Sequence, residues 1–408
     1  MVQKPQHYGR LSELHQTMIS FEQAFEIIMN STFTLEVESV TLNHSLNRVL
    51  ACDIRSDTDM PPFNRAAMDG YACRRADWQG ELSIVEIIPA GCSPQKTIRE
   101  NECAKIMTGA VVPQGADCIV KVENTRVITE NKVRITDSDI FDYICYQGED
   151  IKRGEVVLNR GTLILPQHIA VLANAGISSV LVYRKPVISI VTTGSELKEP
   201  GEPLPAGSIR NSNSYQLIGQ VQRMSIEPEY LGIATDTKDL LNHLIQKALQ
   251  KSDVVLISGG VSMGDYDLVP EVLKTNGVNI LFNRVAMQPG KPLTFGIKNR
   301  TAIFAFPGNP VSTFFPFEIM AKPFIYKLMG HDNYAPKTFS FVTGENFKRK
   351  TSDRKAFVPV KIEEGKVFPV EFHGSAHISA LCLAGGIIYF PIGVLEIKKG
   401  ESVNVMLL

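Results

Sequence analysis

The chain has 408 residues, of which 44% are hydrophobic and 21% are charged. A single hydrophobic core rarely grows beyond about 250 to 300 residues, so this length predicts several folded domains. The 42 Lys and Arg residues against 43 Asp and Glu residues give a formal net charge of -1. Such a balance excludes a general attraction to nucleic acid or to an acidic membrane, and any anion site must be local.

The cysteines and the apolar segments indicate a cytoplasmic protein. Its seven cysteines contain no C-x-x-C pair, and their odd number fits no closed set of disulfides. No stretch approaches the roughly 18 apolar residues that can cross a bilayer, and no signal-peptide pattern opens the chain. We therefore expect reduced thiols, a cytoplasmic location, and no binding to membranes or nucleic acid.

The first part of the chain predicts two helices among short strands. Ser20 to Gln23 have the Ser-x-x-Gln form of a capping box, with apolar residues following at helical spacing. Short strand patterns and turns come next, and a second helix is predicted from Pro166 to Ala175. We assign residues 1–51 and 144–185 to a connecting α+β domain, and residues 52–143 to a small β-rich domain.

Short apolar strands then alternate with helices over residues 186–330. The strand candidates are Val187 to Val191, Asp253 to Ile257 and Thr301 to Phe306. This alternation predicts a three-layer α/β domain with a parallel-type sheet, whose ligands bind at the carboxyl ends of the strands. Residues 331–408 return to strand patterns, which predict a C-terminal β-barrel or sandwich. The expected fold class is therefore multidomain α/β plus β.

Glycine-rich loops follow two of the predicted parallel strands. The residues concerned are Gly194 and Ser195 in the first loop, and Ser258, Gly259, Gly260 and Ser262 in the second. Glycines let backbone N–H groups approach a phosphate closely, and the following helix N-terminus adds its positive end. The alternative is that the glycines only allow tight turns. Two such loops on one sheet, both with acidic residues, favour a phosphate site.

Two further loops suit ligand binding. Pro307-Gly308-Asn309-Pro310 is stiffened by its prolines and suits a wall that positions a ligand, although Pro310 can equally begin the next helix. Lys291 lies between a glycine and Pro292, where a cation can hold an oxyanion as a point charge. A solvated lysine in a turn is the alternative.

Several loop carboxylates suit a divalent cation. The candidates are Glu196, Asp236, Asp267 and Asp150, whose hard oxygen atoms can hold Mg²⁺ against a phosphate. Each can instead be a solvated side chain or a helix cap, and Asp236 does precede a predicted helix. His373 and His377 are four residues apart, but their strand-and-loop region offers no third ligand and does not predict a metal site.

Taken together, these motifs resemble the MoeA and gephyrin E-domain family. They occur in the family's order over nearly the whole chain. The matching stretches are Pro61 to Ala72 (PPFNRAAMDGYA), Ile106 to Asp117 (IMTGAVVPQGAD), Gly148 to Asp150 (GED), Val191 to Leu197 (VTTGSEL), Ser258 to Asp267 (SGGVSMGDYD), Pro289 to Pro292 (PGKP) and Phe306 to Ser312 (FPGNPVS). The resemblance implies a Mg²⁺-dependent molybdenumtransferase of molybdenum cofactor biosynthesis. Such an enzyme takes adenylylated molybdopterin and molybdate, and releases AMP.

The resemblance also implies roles for individual residues. Glu196, Asp236 and Asp267, with Asp150 as a fourth candidate, are similar to the family's residues that hold the cation and substrate. Asp69 and Thr108 match a pair that completes the neighbouring subunit's site in a homodimer, although by themselves they suit turns, with Asp69-Gly70 suiting a hairpin. Lys291, Pro292, Arg354 and Ser375 resemble molybdate-binding positions. An upstream adenylyltransferase and downstream molybdoenzymes are further implied partners.

Two positions depart from the family's pattern. Gln288 stands where many relatives carry a lysine, and Ser195 replaces an aspartate that often precedes the family's glutamate. Loss of a positive charge beside an oxyanion predicts weaker molybdate binding unless Arg284 compensates.

Two other functions compete with this interpretation. An adenylyltransferase acting one step earlier would use the same α/β domain, but it would need neither the N-terminal domains nor the C-terminal barrel. A scaffold is the second alternative, because gephyrin also anchors membrane receptors. The MDGYA and MTGA motifs and the lack of a separate partner domain favour the insertion step.

Overall fold

The computed structural model describes residues 18–136, 142–235, 237–261 and 268–408. Its α-helices are α1 (Phe21–Asn30), α2 (Pro166–Asn174), α3 (Ser212–Gln222), α4 (Lys238–Lys251), α5 (Val269–Thr275), α6 (Pro310–Pro316) and α7 (Lys322–Leu328). A π-helical turn, Phe317–Ala321, joins α6 to α7, and Pro316 removes a backbone donor just before it. Within these ranges no helix has both the length and the apolar character needed to cross a membrane.

Most of the remaining regular structure is β-strand. The strands of the first half are β1 (Val37–Thr41), β2 (Ile54–Arg55), β3 (Arg65–Ala66), β4 (Gly70–Cys73), β5 (Glu81–Ile88), β6 (Glu102–Ile106), β7 (Cys118–Lys121), β8 (Thr125–Thr129), β9 (Lys132–Ile135), β10 (Ile144–Cys145), β11 (Val156–Leu158) and β12 (Ser179–Tyr183). The second half contains β13 (Ile188–Thr193), β14 (Leu197–Lys198), β15 (Ile209–Arg210), β16 (Glu229–Ala234), β17 (Val254–Ser258), β18 (Asn279–Phe282), β19 (Met287–Gln288), β20 (Thr294–Lys298), β21 (Thr301–Phe306), β22 (Thr338–Thr343), β23 (Phe347–Lys348), β24 (Lys355–Glu363), β25 (Lys366–Pro369), β26 (Gly386–Phe390), β27 (Glu396–Ile397) and β28 (Ser402–Leu407).

The connecting region is built from two separated parts of the chain. β1 pairs antiparallel with β12, and β2 pairs antiparallel with β11. At the start of α1, the Ser20 hydroxyl accepts the Gln23 N–H, and the Gln23 side chain accepts the Ser20 N–H. The predicted capping box is thereby confirmed. The predicted second helix is also present as α2, whereas the domain boundaries stay predictions.

A six-stranded sheet of order β7-β4-β6-β5-β9-β8 lies between those two parts. The hairpin considered for Asp69-Gly70 is wrong, because β3 pairs with β10 and not with β4. Gly70 instead begins β4, where an added Cβ would collide with the carbonyl oxygen of Val120 on the neighbouring strand. The glycine therefore serves close strand pairing rather than a turn.

The second six-stranded sheet forms the middle of a three-layer α/β domain, as predicted. Its order is β16-β13-β17-β21-β20-β18. The first four strands are mutually parallel, whereas β20 pairs antiparallel with β21, and β18 pairs antiparallel with β20. The direction of β20 makes the sheet mixed rather than wholly parallel. The sequence pattern predicts neither β18 nor β20.

Alternate residues of the central strands face opposite layers of helices, as the strand period requires. Val254 and Leu256 of β17 belong to the core formed with α1, α3, α6 and α7. Val255 and Ile257 of the same strand belong to the core formed with α4 and α5. A strand buried on both faces explains why these sequences are continuously apolar.

The C-terminal strands close a barrel. β24, β25, β22, β28 and β26 pair in turn, and β26 pairs again with β24. The barrel alternative is thereby confirmed over the sandwich. β19, from the α/β domain, pairs parallel with the start of β24. This pairing joins the α/β domain to the barrel.

Substitution of Phe304 by alanine is expected to destabilise the α/β domain by about 3 to 5 kcal/mol, because it leaves a core cavity. The ring is fully buried, with its centroid 4.8 Å from that of Phe295 and 5.4 Å from that of Phe324. Urea unfolding provides the measurement. Phe339→Ala is the matched control, because this ring on β22 is 50% exposed and should change the stability by less than about 1 kcal/mol. Equal unfolding midpoints for the two variants would contradict the assignment of the core.

Candidate functional site

Three strand-end loops meet at the carboxyl edge of the parallel strands. The Gly259 N–H, after β17, donates to the Phe306 carbonyl oxygen at the end of β21 at 3.0 Å. A Cβ on Gly259 would collide with the carbonyl oxygen of Thr193 at the end of β13, and the residue has a φ of +93°. Only glycine combines this conformation with so close an approach.

A cleft of about 510 Å³ lies where these loops meet. Its volume falls in the range of small-molecule sites. The predicted residues that line it are Gly194, Glu196, Ser258, Gly259, Gly260, Gly308, Asn309 and Pro310. Ser195 is exposed in the first loop without lining the cleft. Ser262, Asp236 and Asp267 lie outside the described residues.

The N-terminus of α3 forms another wall of this cleft, which we did not predict. Asn211 caps the helix by accepting the Ser214 N–H at 3.3 Å, and Asn211, Ser212 and Asn213 all line the cleft. Arg210 lines it too, and is the one cation among its described lining residues. Free N–H groups, the helix dipole and a guanidinium together favour a bound anion. The Asn-Ser-Asn-Ser run was an available signal, because it is a helix-start pattern.

Asn211 is itself held by a polar cluster. Its Nδ2 donates to the Tyr230 hydroxyl at 2.8 Å, and that hydroxyl donates to Glu199 Oε1 at 2.5 Å. Burial raises the pKa of Tyr230, and the hydrogen bond to Glu199 raises it further. The phenol therefore stays protonated at neutral pH and keeps donating to the carboxylate.

Asn213 ties two of the three loops together. Its Nδ2 donates to Ser258 Oγ and to the Gly308 carbonyl oxygen, each at 2.8 Å. A carbonyl oxygen can only accept, so the Gly308 contact establishes which end of the amide faces the loops. The side chain is buried. Sequence reasoning missed it because its two partners are distant in the chain.

A second cavity, of about 720 Å³, lies between the α/β domain and the barrel. Lys291, Pro292, Arg354 and Ser375 all line it. They meet because β19 pairs with β24, which places Gln288 opposite Ala356. Gln288 lines this cavity as well, whereas Arg284 does not. Lys291 and Arg354, which are cations from different domains, thus face one space.

The two cavities share a wall made of Gly308 and Asn309. Asn309 Nδ2 donates to Ser375 Oγ at 2.8 Å, and the Val311 N–H donates to the Ser375 carbonyl oxygen at 3.1 Å. Pro307 belongs to the second cavity. Pro310 begins α6 and also lines the first cleft. It is therefore both the first residue of a helix and part of the wall of a ligand site, the two roles that the sequence suggested.

Asp69 and Thr108 lie together but line neither cavity of their own chain. Asp69 Oδ1 accepts the Thr108 hydroxyl at 2.7 Å and the Thr108 N–H at 2.6 Å. Both side chains are exposed. Asp150 is also exposed, and its N–H donates to the Met60 carbonyl oxygen at 3.0 Å.

Among the described residues that line the first cleft, Glu196 supplies the carboxylate that can bind a cation. Within the described ranges, no group of three or more His, Cys, Asp or Glu side chains is placed to hold a metal ion. Mg²⁺ is usually held by one or two carboxylates together with substrate phosphates. An exposed carboxylate that lines the same cleft as a helix N-terminus therefore fits Mg²⁺ that arrives with a phosphate ligand.

Comparisons with known proteins agree over nearly the whole chain. The MoeA N-terminal region (domain I and II) matches residues 19–176, a probable molybdopterin binding domain matches residues 189–327, and the MoeA C-terminal region (domain IV) matches residues 343–408. A molybdopterin molybdenumtransferase of Staphylococcus epidermidis is 34% identical over 406 residues, covering 96% of both chains. The protein of that name from Bacillus subtilis is 33% identical over 410 residues, covering 96% of this chain and 95% of the relative.

A solved structure shows the same similarity. The crystal structure of the molybdopterin biosynthesis MoeA protein from Pyrococcus horikoshii OT3 is 30% identical in sequence and superposes with a TM-score of 0.82. The match covers 96% of this chain and 100% of that one.

The Thr108→Val substitution is expected to raise the pKa of Asp69 toward its ordinary value. The hydroxyl of Thr108 and then its N–H hold this pKa down, and valine removes the hydroxyl donor. A pH titration of the Asp69 carboxyl ¹³C signal provides the measurement. Thr108→Ser should keep the lowered value, and an unchanged titration in the valine variant would contradict the role of the hydroxyl.

Proposed function

Because this chain belongs to the MoeA family, whose role lies in molybdenum cofactor biosynthesis, we propose that it is a molybdopterin molybdenumtransferase. The proposed reaction inserts molybdenum from molybdate into adenylylated molybdopterin and releases AMP. The observation that carries this proposal is the shared wall of Gly308 and Asn309. A cleft suited to phosphate and a cavity suited to an oxyanion lie on its two sides.

The first cleft has the chemistry for the adenylylated pterin. Its glycine loops let the backbone lie close to a ligand, and the α3 N-terminus and Arg210 offset negative charge. Asn213 holds the Ser258 and Gly308 loops at a constant separation. Positioning of the phosphoanhydride by rigid groups is a main source of catalysis in such cleavage.

The second cavity has the chemistry for molybdate. Lys291 supplies a point charge, Arg354 a guanidinium and Ser375 a hydroxyl. The dithiolene sulfurs that finally bind molybdenum belong to the substrate. The protein therefore needs oxyanion donors rather than a cage of Cys and His ligands.

We assign the binding of Mg²⁺ to Glu196 with Asp267 and Asp236, and keep Asp150 as a further candidate. When bound, the cation would offset the charge of the phosphoanhydride as it breaks. Glu196 supports this assignment by its exposed position in the first cleft.

We further propose that the enzyme works as a cytoplasmic homodimer. Asp69 and Thr108 form an exposed polar pair that lines neither cavity of its own chain. A pair placed in this way suits completion of a neighbouring subunit's cleft.

The seven free thiols agree with a reducing compartment. An adenylyltransferase would supply the substrate, and molybdoenzymes would receive the product.

Incubation with adenylylated molybdopterin and Mg²⁺ should release AMP only when molybdate is present. Glu196→Ala and Asp267→Ala should each lower this release by about 100-fold or more, since each removes a carboxylate proposed to hold the Mg²⁺ that offsets the charge of the reacting phosphates. Circular dichroism should show an intact fold. Glu130→Gln, at an exposed position on another domain, is the control and should retain full activity.

Two results would contradict the proposal. Synthesis of the adenylate from ATP would identify the chain as the earlier enzyme. Unchanged turnover in both carboxylate variants would favour a binding role over catalysis.

The Gln288→Lys substitution is expected to lower the KM for molybdate by roughly two- to fivefold. One added cation at an exposed site contributes about 0.5 to 1 kcal/mol, and Gln288 is exposed and lines the second cavity. Steady-state kinetics at low ionic strength provides the measurement, and added salt should reduce the gain. Gln288→Met serves as the uncharged control. Equal KM values for the two variants would place molybdate elsewhere.

A further inference from the structure

Arg349 lines the second cavity, yet its hydrogen bonds point into the protein. Its Nε donates to the Val394 carbonyl oxygen, Nη1 to that of Arg354 and Nη2 to that of Pro391, each at 2.6 Å. The guanidinium also lies 5.3 Å from the centre of the Phe390 ring. Each nitrogen of the side chain is therefore engaged with the backbone.

These bonds join two separate loops. Arg354 belongs to the loop between β23 and β24, whereas Pro391 and Val394 belong to the loop between β26 and β27. The three acceptors are carbonyl oxygens, so the donors can only be the arginine N–H groups. The flat guanidinium presents its donors in a rigid fork, which a lysine ammonium cannot reproduce.

The peptide group after Arg354 is held from both sides. Its carbonyl oxygen accepts from Arg349, and its N–H, which belongs to Lys355, donates to the Ala286 carbonyl oxygen at 3.0 Å. Ala286 lies directly before β19 of the α/β domain. This peptide group is therefore clamped between Arg349 and the domain that carries Lys291.

We infer that Arg349 is a positioning residue for the oxyanion: it holds Arg354 at the cavity wall, opposite the α/β domain. This inference rests on the proposed function, because it takes the second cavity to be the molybdate site. The Arg354 side chain is 24% exposed, and its Nε lies 3.3 Å from Asp353 Oδ2. A guanidinium on an unsupported loop would have more conformations to lose on binding the anion.

The test measures the KM for molybdate and for adenylylated molybdopterin in Arg349→Gln, Arg349→Lys, Arg354→Gln and the double variant Arg349→Gln/Arg354→Gln. Arg349→Gln should raise the molybdate KM by about tenfold, because small misplacements of a binding group have large effects. Its KM for the pterin nucleotide should stay within about twofold of the wild-type value. Arg349→Lys should fall between the wild type and Arg349→Gln. Lys350→Gln, an exposed neighbour, is the matched charge control and should leave both values unchanged.

The double variant separates positioning from direct binding. If Arg349 acts through Arg354, adding Arg349→Gln to Arg354→Gln should raise the molybdate KM no further. Additive effects would overturn the inference, and so would a lysine variant that behaves as wild type. A parallel rise in both KM values with loss of thermal stability would indicate a merely structural role and would overturn it too.

Failure of the proposed function is recognised separately. If Arg354→Gln leaves the molybdate KM unchanged, the second cavity is not the molybdate site and the assignment of that cavity fails. If Arg354→Gln raises this KM and Arg349→Gln does not, the cavity assignment stands and the role of Arg349 is refuted.

Discussion

The whole site depends on how closely the Gly259 loop approaches its neighbours. Its N–H bonds to the end of β21, while its Cα lies against the end of β13, where a side chain would collide with the Thr193 carbonyl oxygen. This contact brings the loops after three parallel strands to one point. Only then can residues from separate loops line one cleft.

A second constraint couples this point to the barrel. Asn309 and Val311, at the start of α6, bond to the side chain and backbone of Ser375, and β19 pairs with β24. The barrel is therefore attached to the α/β domain on both sides of the second cavity. Residues that are far apart in the chain, such as Lys291 and Arg354, line one space because of these attachments.

Local patterns predicted local structure well. The capping box at Ser20, the helix from Pro166 and the strand from Thr301 to Phe306 follow from neighbouring residues, and the structure confirms them. The predicted Asp69-Gly70 hairpin was wrong because the glycine is required by the close approach of Val120 on a neighbouring strand and not by a turn. Asn213 and Arg349 escaped prediction for the same reason, since their partners come from other loops.

By itself, the sequence determined the alternation of strands and helices, the family, and the glycine, proline and charged residues that suit phosphate and oxyanion chemistry. These are properties of residue type and of short-range spacing, which the linear chain records directly. Only the tertiary structure decided that the predicted residues divide between two cavities with a common wall, and that Asp69 and Thr108 line neither. Such relations arise from strand pairing and loop contacts between residues that are far apart in the chain. The packing of the whole chain sets how close these residues lie in space.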